Sequence, residues 1–373
     1  MKKLLSFIVV LTSVTCFAQP NHGHSMGRAI VFPNIPGYQT LKCDLHQHTV
    51  FSDGSVWPDI RVMESLMDSL DVISLTEHLE YQPHKTDIPH PDRNRSYEIA
   101  VKEAKDHNLV IVRGSEITRR MPPGHCNAIF IQDANGLLVS DSIEVFRAAK
   151  KQGAFVFWNH PNWINQRKDG MATLTDMHKM LIKEKLLDGI EVINDRSYSD
   201  EALQIALDNN LTIMGTSDIH KLIDWDHGVP QGGHRPITLV FAKDRTPDAI
   251  KDALMNRRTV ACIKNLLVGR DEFLVPLLES SVRIKSAKYD GQTTVLRVEI
   301  ENLSSIEITL QNKSRYTFHN QSDVITVKPD ETFILLVKTV QQLTDINLTM
   351  EVLSAVHSPN SHPVITLKSA VSL

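Results

Sequence analysis

Two hydrophobic rhythms divide the chain. From Leu41 to about residue 217, short apolar runs of strand length alternate with longer stretches whose apolar residues recur every three or four positions. The strand-like runs fall at 41–48, 71–75, 109–116, 127–131, 154–159, 189–194 and 211–217, and the helical patterns at 58–70, 94–108, 141–152, 175–187 and 200–209. Pro58 suits a first helical turn, while Asp141 and Asp200 stand where helix caps belong. Strands that alternate with helices predict parallel pairing with helices outside. A further strand at 237–242, a helix at 247–256 and a short strand at 260–263 complete this part. From about Ser281 the period changes to two, in runs that begin at Val282, Val295, Ile306, Phe333, Ile346 and Val364, with turn residues between them. That rhythm predicts a β-sandwich of Ig-like type over residues 280–373. Residues 19–40 are rich in His, Gly, Pro and Asn without periodicity and read as an extended lead-in.

The positions of the polar residues choose between an open sheet and a barrel over residues 41–270. His46, His48, His78, Glu116, His160, Asp218 and His220 all lie at or just past the C-terminal end of a strand-like run. In a closed barrel those ends meet on one face. In an open sheet they spread along an edge, and only a switch point gathers a few. The expected fold is therefore α/β, a distorted (β/α)7 barrel followed by the β-sandwich.

Composition narrows the class without naming a chemistry. The 373 residues are 42% hydrophobic and 23% charged, which is the make-up of a globular protein too large for one core. The net charge of −4, with no basic stripe, argues against double-stranded nucleic acid as the main ligand. Lys2 and Lys3, the apolar stretch from Leu4 to Val14 and the small residues Cys16 and Ala18 read as a cleavable signal peptide over residues 1–18, with a mature start at Gln19. A lipoprotein reading of Cys16 ranks second, because Ser13, Val14 and Thr15 lack the usual Leu and small Gly or Ala. The expected location is periplasmic or secreted, with no transmembrane anchor. Cys43, Cys126 and Cys262 are scattered and odd in number, so they form no disulfide framework, and the first and second are read as small buried residues beside candidate ligands.

Most of the 17 histidines lie between His46 and His234. The pair His46 and His48 share one side of a strand, so their imidazoles can grip one cation, and Asp53 just beyond a Ser-Asp-Gly turn can reach a neighbouring one. A lone histidine is more often a hydrogen-bonded residue than a ligand. So many nitrogen and oxygen ligands at successive strand ends are hard to explain as structure, since burying them together is costly unless metal pairs them. Oxygen and imidazole donors without cysteine suit Mn, Zn or Fe alike.

The motifs His46-Gln47-His48, Ser52-Asp53-Gly54, Thr76-Glu77-His78, Gly114-Ser115-Glu116, His125, Asn159-His160-Pro161 and Ser217-Asp218-Ile219-His220 resemble, as a set, those of the PHP family, named for polymerase and histidinol phosphatase. The resemblance implies a distorted (β/α)7 barrel that holds two or three divalent metals and hydrolyses phosphate esters. It implies that His46, His48, Glu116 and Asp218 hold a first metal, that Glu116 bridges to a second held also by His125 and His160, and that Asp53, His78 and His220 hold a third. The layout of leader, barrel and C-terminal β-domain resembles the secreted phosphodiesterase branch typified by a Sphingobium enzyme. A hydroxide shared between metals would attack phosphorus, with Asp218 orienting it or taking its proton.

Around this centre the sequence offers helpers. Arg235 is the first choice for a phosphate-binding cation, with His234 and His227 as candidates to protonate a leaving group and Arg93 and Arg95 as alternative cations. Trp158, Trp163 and Tyr81 are candidate pocket walls, and Glu77 and Glu191 candidate partners that orient ligand imidazoles. The leading expectation is a metal-dependent phosphodiesterase acting on a small-molecule phosphate ester. The alternatives are a phosphomonoesterase resembling histidinol phosphatase, which the leader disfavours, and a secreted binding protein whose metals are structural.

Overall fold

The computed structural model describes residues 28–372, so the expected signal peptide and Cys16 lie outside the described residues. Strands β1 (Gln39–Gln47), β2 (Val72–Leu75), β3 (Val110–Thr118), β4 (His125–Ile129), β5 (Phe155–Trp158), β6 (Gly189–Asn194), the two-residue β7 (Ser197–Tyr198), β8 (Thr212–Thr216), β9 (Ile237–Ala242), β10 (Thr259–Ile263) and β11 (Leu266–Gly269) share one curled sheet. Helices α1 (Pro58–Met67), α2 (Arg95–Glu103), α3 (Glu144–Lys151), α4 (Asp176–Lys183), α5 (Asp200–Asp208), the short α6 (Ile223–Asp226) and α7 (Pro247–Met255) connect them. The expected helices form, each trimmed by a residue or more. Thr175, Ser199 and Thr246 cap α4, α5 and α7 with their hydroxyls, and Asp141 accepts from Ile143 and Glu144 one turn ahead of α3.

Seven strands, β1 to β6 and β8, make the barrel wall in the order the sequence predicts. The pairings β1–β2, β2–β3, β5–β6 and β6–β8 are parallel. One expectation fails: β4 runs antiparallel to both neighbours, because the loop after β3 is a short return with no helix in it. Its N-terminal residue, His125, therefore reaches the face on which the other strands end. The barrel closes without a regular ladder. The amide of Asp218 donates to the carbonyl of His46 and that of His48 to Ile219, while lower down the Thr238 hydroxyl bridges the N–H and C=O of Gly215. Gly215 must lack a side chain there, since a Cβ would stand 2.8 Å from the Ile237 carbonyl and 2.9 Å from the Ala261 methyl.

Helix α8 (Asp271–Ser281), with Pro276 inside it, leads out of the sheet and was not read from the sequence. Beyond it lie β12 (Val282–Tyr289), β13 (Val295–Asn302), β14 (Ile308–Asn312), β15 (Thr317–Phe318), β16 (Val324–Val327), β17 (Thr332–Lys338), β18 (Asp345–Val352), β19 (Ala355–Val356) and β20 (Val364–Ala370). Two antiparallel four-stranded sheets, ordered β12-β13-β17-β15 and β16-β14-β18-β20, form the expected sandwich. Its inward residues Leu296, Val298, Ile300, Leu348 and Met350 are fully buried, as the period of two requires. β19 leaves the sandwich and pairs in parallel with β11, so the barrel sheet ends on a strand from the C-terminal region. The lead-in is less loose than expected: Ile30, Phe32 and Ile35 are buried in the core shared by barrel and sandwich. No helix among the described residues is long and apolar enough to cross a membrane.

Candidate metal centre

Successive strand ends deliver the side chains. His46 lies on β1 and His48 just past it, both with no exposed surface. The turn that follows is tight: a Cβ on Gly54 would stand 2.7 Å from the backbone of His48, so the glycine lets the chain fold back and aim Asp53 at the strand it has just left. His78 follows β2, Glu116 lies on β3, His125 starts β4, His160 follows β5, and Asp218 and His220 follow β8. All nine side chains that the sequence nominated converge on one face of the barrel.

The donor atoms fall into three neighbourhoods. In the first, His46 Nε2 and His48 Nε2 are 3.0 Å apart, each is 3.1 Å from Asp218 Oδ1, and Glu116 approaches them at 3.5 and 3.8 Å. In the second, Glu116 Oε1 faces His125 Nδ1 at 3.1 Å and His160 Nε2 at 3.6 Å. In the third, Asp53 Oδ1 faces His220 Nε2 at 3.2 Å and His78 Nε2 at 3.5 Å. His48 Nδ1 stands 3.9 Å from the same Asp53 oxygen, and His78 Nδ1 also meets Glu116, so the neighbourhoods share walls. A metal–nitrogen bond of about 2.1 Å sets adjacent ligand atoms roughly 3.0–3.4 Å apart in octahedral or tetrahedral shells, and half of these spacings fall in that range.

Tautomers make the case for a cation stronger than distances do. His46 Nδ1 lies 2.7 Å from the Glu191 carboxylate and can only donate to it. His48 Nδ1 donates to the Ser52 hydroxyl, which itself donates to Glu77. With both protons committed outward, the two Nε2 lone pairs point at one another across 3.0 Å, out of contact with water. Two lone pairs facing in a dry site repel unless a positive centre, a proton or a metal ion, sits between them. Nearby, Asp53 Oδ1, Glu116 Oε2 and His160 Nδ1 are buried with no aligned hydrogen-bond partner. The donor set therefore fits divalent ions of the Mn, Zn or Fe type.

The electrostatics carry the same demand. Burial alone would lower His46, but Asp218 and Glu191 outweigh it and push it up to about 10. His78 rises to about 11, the pull of Glu116 and Asp53 overcoming burial. His48 goes the other way, to about 3, through burial and its neighbours His220 and His78. Burial works to raise Glu116, Asp53 and Asp218, yet the surrounding imidazoles hold all three well below the carboxylate range. Three carboxylates that stay ionised in a largely buried site call for positive charge, which protons or metal ions can supply.

The supporting residues sort themselves by contact. Glu191, fully buried, accepts from His46 Nδ1, the His160 backbone N–H, the Thr216 hydroxyl and Asn194 Nδ2. Glu77 touches no imidazole but holds Thr49 and Ser52, and so acts on His48 through the Ser52 hydroxyl. Trp158 is core, stacked on His178 at 3.9 Å. Trp163 is half-exposed at the rim, 5.0 Å from His160 and 5.6 Å from His125 between ring centres, and Tyr81 meets His78 edge-on at 5.8 Å.

Above the cluster opens a cavity of about 690 Å³ whose floor includes Asp53, His78, His125, His160, Asp218 and His220. Arg235, expected to bind phosphate, is not there. It has no exposed surface, and its guanidinium donates to Asp68 at 2.8 Å and Asp44 at 3.2 Å, two carboxylates that consume its charge. His234 also stays outside, with its ring nitrogens turned to the carbonyls of Arg235 and Lys264. Arg93 is tied to the carbonyls of Leu79 and His90, Arg95 pairs with Glu98 on α2, and neither they nor His227 line the cavity. The cations that do line it are Arg196, two residues past β6, and Lys221, next to His220. Both were missed, although the rule that found the histidines, a polar residue just past a strand end, points to them equally.

The comparisons agree with this picture. The chain is similar to a crystallised two-domain protein from Bacteroides vulgatus, described as containing a predicted PHP-like metal-dependent phosphoesterase, at 41% identity and a TM-score of 0.85, over 91% of this chain and 98% of that one. A family model for an Ig-like domain matches residues 282–368. An amidohydrolase from Chromobacterium violaceum (14% identity, TM-score 0.35, 48% of this chain and 87% of that one) and a lesion-specific endonuclease from Pyrococcus furiosus (15%, 0.39, 67% and 62%) are far more distant. Among curated protein sequences, none matches the chain.

Proposed function

The chain belongs to the PHP-like metal-dependent phosphoesterases, and from that premise we propose that it is a secreted hydrolase of small phosphodiesters, a role like that of the Sphingobium-type branch of the family. The observation that carries the metal-dependent reading is the pair of Nε2 lone pairs, His46 and His48, held face to face by Glu191 and Ser52 beside three ionised carboxylates. His46, His48, Glu116 and Asp218 would hold a first ion, Glu116 with His125 and His160 a second, and Asp53, His78 and His220 a third. When bound, such ions supply Lewis acidity toward phosphoryl oxygens and acidify water at neutral pH.

The rest of the work belongs to the chain. Asp218 turns Oδ1 to the imidazoles and leaves Oδ2 with only a 3.4 Å contact to Asn194 Nδ2, at the cavity floor. That oxygen is placed to take a proton from an attacking water. Lys221 and Arg196 stand on the wall where a phosphoryl oxygen or an anionic arm of the substrate would lie. Arg196 donates to the Asp226 carbonyl, which restrains it on the cavity wall. A cavity of about 690 Å³ leaves room on both sides of a central phosphate, which favours a diester over a monoester.

The test is turnover of bis(p-nitrophenyl) phosphate against p-nitrophenyl phosphate by protein loaded with Mn, Zn, Fe or Co. Faster metal-dependent hydrolysis of the diester is expected. Equal or faster hydrolysis of the monoester would move the reading to a phosphomonoesterase, and no turnover of either would remove it.

A further inference from the structure

Two apolar side chains stand exposed where the cavity leaves the metal centre. Trp163 retains 38% of its surface and Ile164 68%, and both line the cavity that the candidate ligands floor. Exposed large apolar groups scattered singly mean little, but adjacent ones at the rim of a polar site mark a surface that something covers. What could cover this one is set by its neighbours. The indole stands 5.0 Å from His160 and 5.6 Å from His125, both candidate ligands, so whatever occupies the centre has its substituent within reach of the ring.

The wall is also held in place. The amide of Trp163 donates to the His160 carbonyl at 2.9 Å, and its own carbonyl accepts from Gln166 at 3.0 Å and Arg167 at 2.8 Å. Gln166 is anchored in turn to the Arg119 carbonyl at 3.1 Å. A tryptophan whose backbone is fixed by three hydrogen bonds, in a turn that starts at a candidate ligand histidine, has less ordering to lose on binding than one on a free loop. Elsewhere the cavity lining is of opposite character, with Arg196, Lys221, Asp195 and Asp226.

We infer that Trp163 and Ile164 form the subsite for one organic arm of the phosphoester, and that this arm carries a planar apolar ring. The inference rests on the phosphoesterase reading and adds the chemical class of the substituent. The phosphoryl group goes to the metal centre, the ring lies against the indole and the isoleucine, and the polar remainder faces Arg196 and Lys221. Stacking of this kind is worth about tenfold in affinity.

Calorimetric titration of manganese-loaded protein with phenylphosphonate and with methylphosphonate tests this. The two share the phosphoryl head, and neither has an ester bond to hydrolyse. The wild type is expected to bind the phenyl compound about tenfold more tightly. Trp163→Ala should close that gap to within about twofold while methylphosphonate binds as before, and Trp163→Phe should keep most of the gap. Equal binding of the two by the wild type would overturn the inference, and so would a gap that survives Trp163→Ala. Loss of methylphosphonate binding in Trp163→Ala would also overturn it, because the ring would then be a prop for His125 and His160. Failure of the wild type to bind either compound would remove the phosphoryl site itself and the inference with it.

Discussion

Asp44 on β1 and His48 just past its end lie four residues apart, and both are sealed from solvent. The lower layer, around Asp44, is charge-paired within the chain. Asp44 accepts from the Ser217 amide and hydroxyl and from Arg235, Arg235 also donates to Asp68, and Asp68 pairs with Arg28, which reaches Asp224. Each charge there has an opposite charge in the chain itself. The upper layer is incomplete, since its two Nε2 atoms face each other and need a proton or a metal ion between them. Burial and polarity are the same in both layers. What separates the structural cluster from the functional one is whether the chain itself supplies the opposite charge for each buried charge.

The largest break in this comparison comes at Glu116, the carboxylate within reach of the candidate ligands of every neighbourhood. Glu116→Gln keeps the shape and replaces an oxygen donor with an amide. Diesterase activity should fall to background, and metal analysis should show every ion weakened, with circular dichroism unchanged. Retained activity would mean that the upper layer is balanced some other way. The converse break is Arg235→Met. It leaves Asp44 and Asp68 buried beside uncancelled charge, and urea unfolding should show a loss of about 3–5 kcal/mol. The folded fraction should still bind metal. Asp68→Asn added to Arg235→Met should recover part of the loss, and a cost under about 1 kcal/mol for the single change would show that the lower layer is not the closed structural unit described here.

Glu191 sits between the two cases, a buried carboxylate satisfied by the chain yet touching a candidate ligand. Glu191→Gln frees the His46 tautomer and should cost about 10–100-fold in metal affinity, read by competition with a chelating dye, with little change in unfolding of the metal-free protein. A stability loss with intact metal affinity would move Glu191 to the lower layer.

The upper layer was the more legible of the two in sequence because it obeys a short-range rule. Period two on β1 puts His46 and His48 together, and strand ends bring up His78, Glu116, His160, Asp218 and His220 without knowledge of the tertiary structure. His125 escaped that rule, since β4 runs backwards and starts where the others end; its short polar context after Gly124 and the likeness to the PHP motifs nominated it. The lower layer obeys no local rule. Arg235 follows two glycines and a histidine and reads as a loop cation, and nothing near it announces Asp68 and Asp44, 167 and 191 residues earlier in the chain. The sandwich was legible for the same reason as β1, its period of two. Helix α8 was not, because Pro276 and the apolar run around it suggest neither a helix nor a stop.

His178 sharpens the comparison with the smallest effect, because it is the same side chain as His48, equally buried, and complete. Its Nε2–H donates to the Pro123 carbonyl at 2.6 Å, and its Nδ1 accepts from the Thr175 amide and hydroxyl at the start of α4. The ring stacks on Trp158. No lone pair is left over and no cation is called for. Burial, with Arg167 as the nearby positive charge, lowers His178 from 6.5 to about 4. The folded state therefore stays neutral where the unfolded chain takes a proton. Its contribution is complete above about pH 6.5 and declines as the pH falls toward 4, by at most about 1.4 kcal/mol per unit. His178→Gln cannot titrate and carries a fixed penalty at every pH. In chelator-treated protein, urea unfolding of wild type and variant should thus converge between pH 6.5 and 4, with the cluster histidines titrating alike in both. Parallel curves would mean that the folded state admits the proton after all, and that a complete set of hydrogen bonds does not distinguish this imidazole from those of the metal centre.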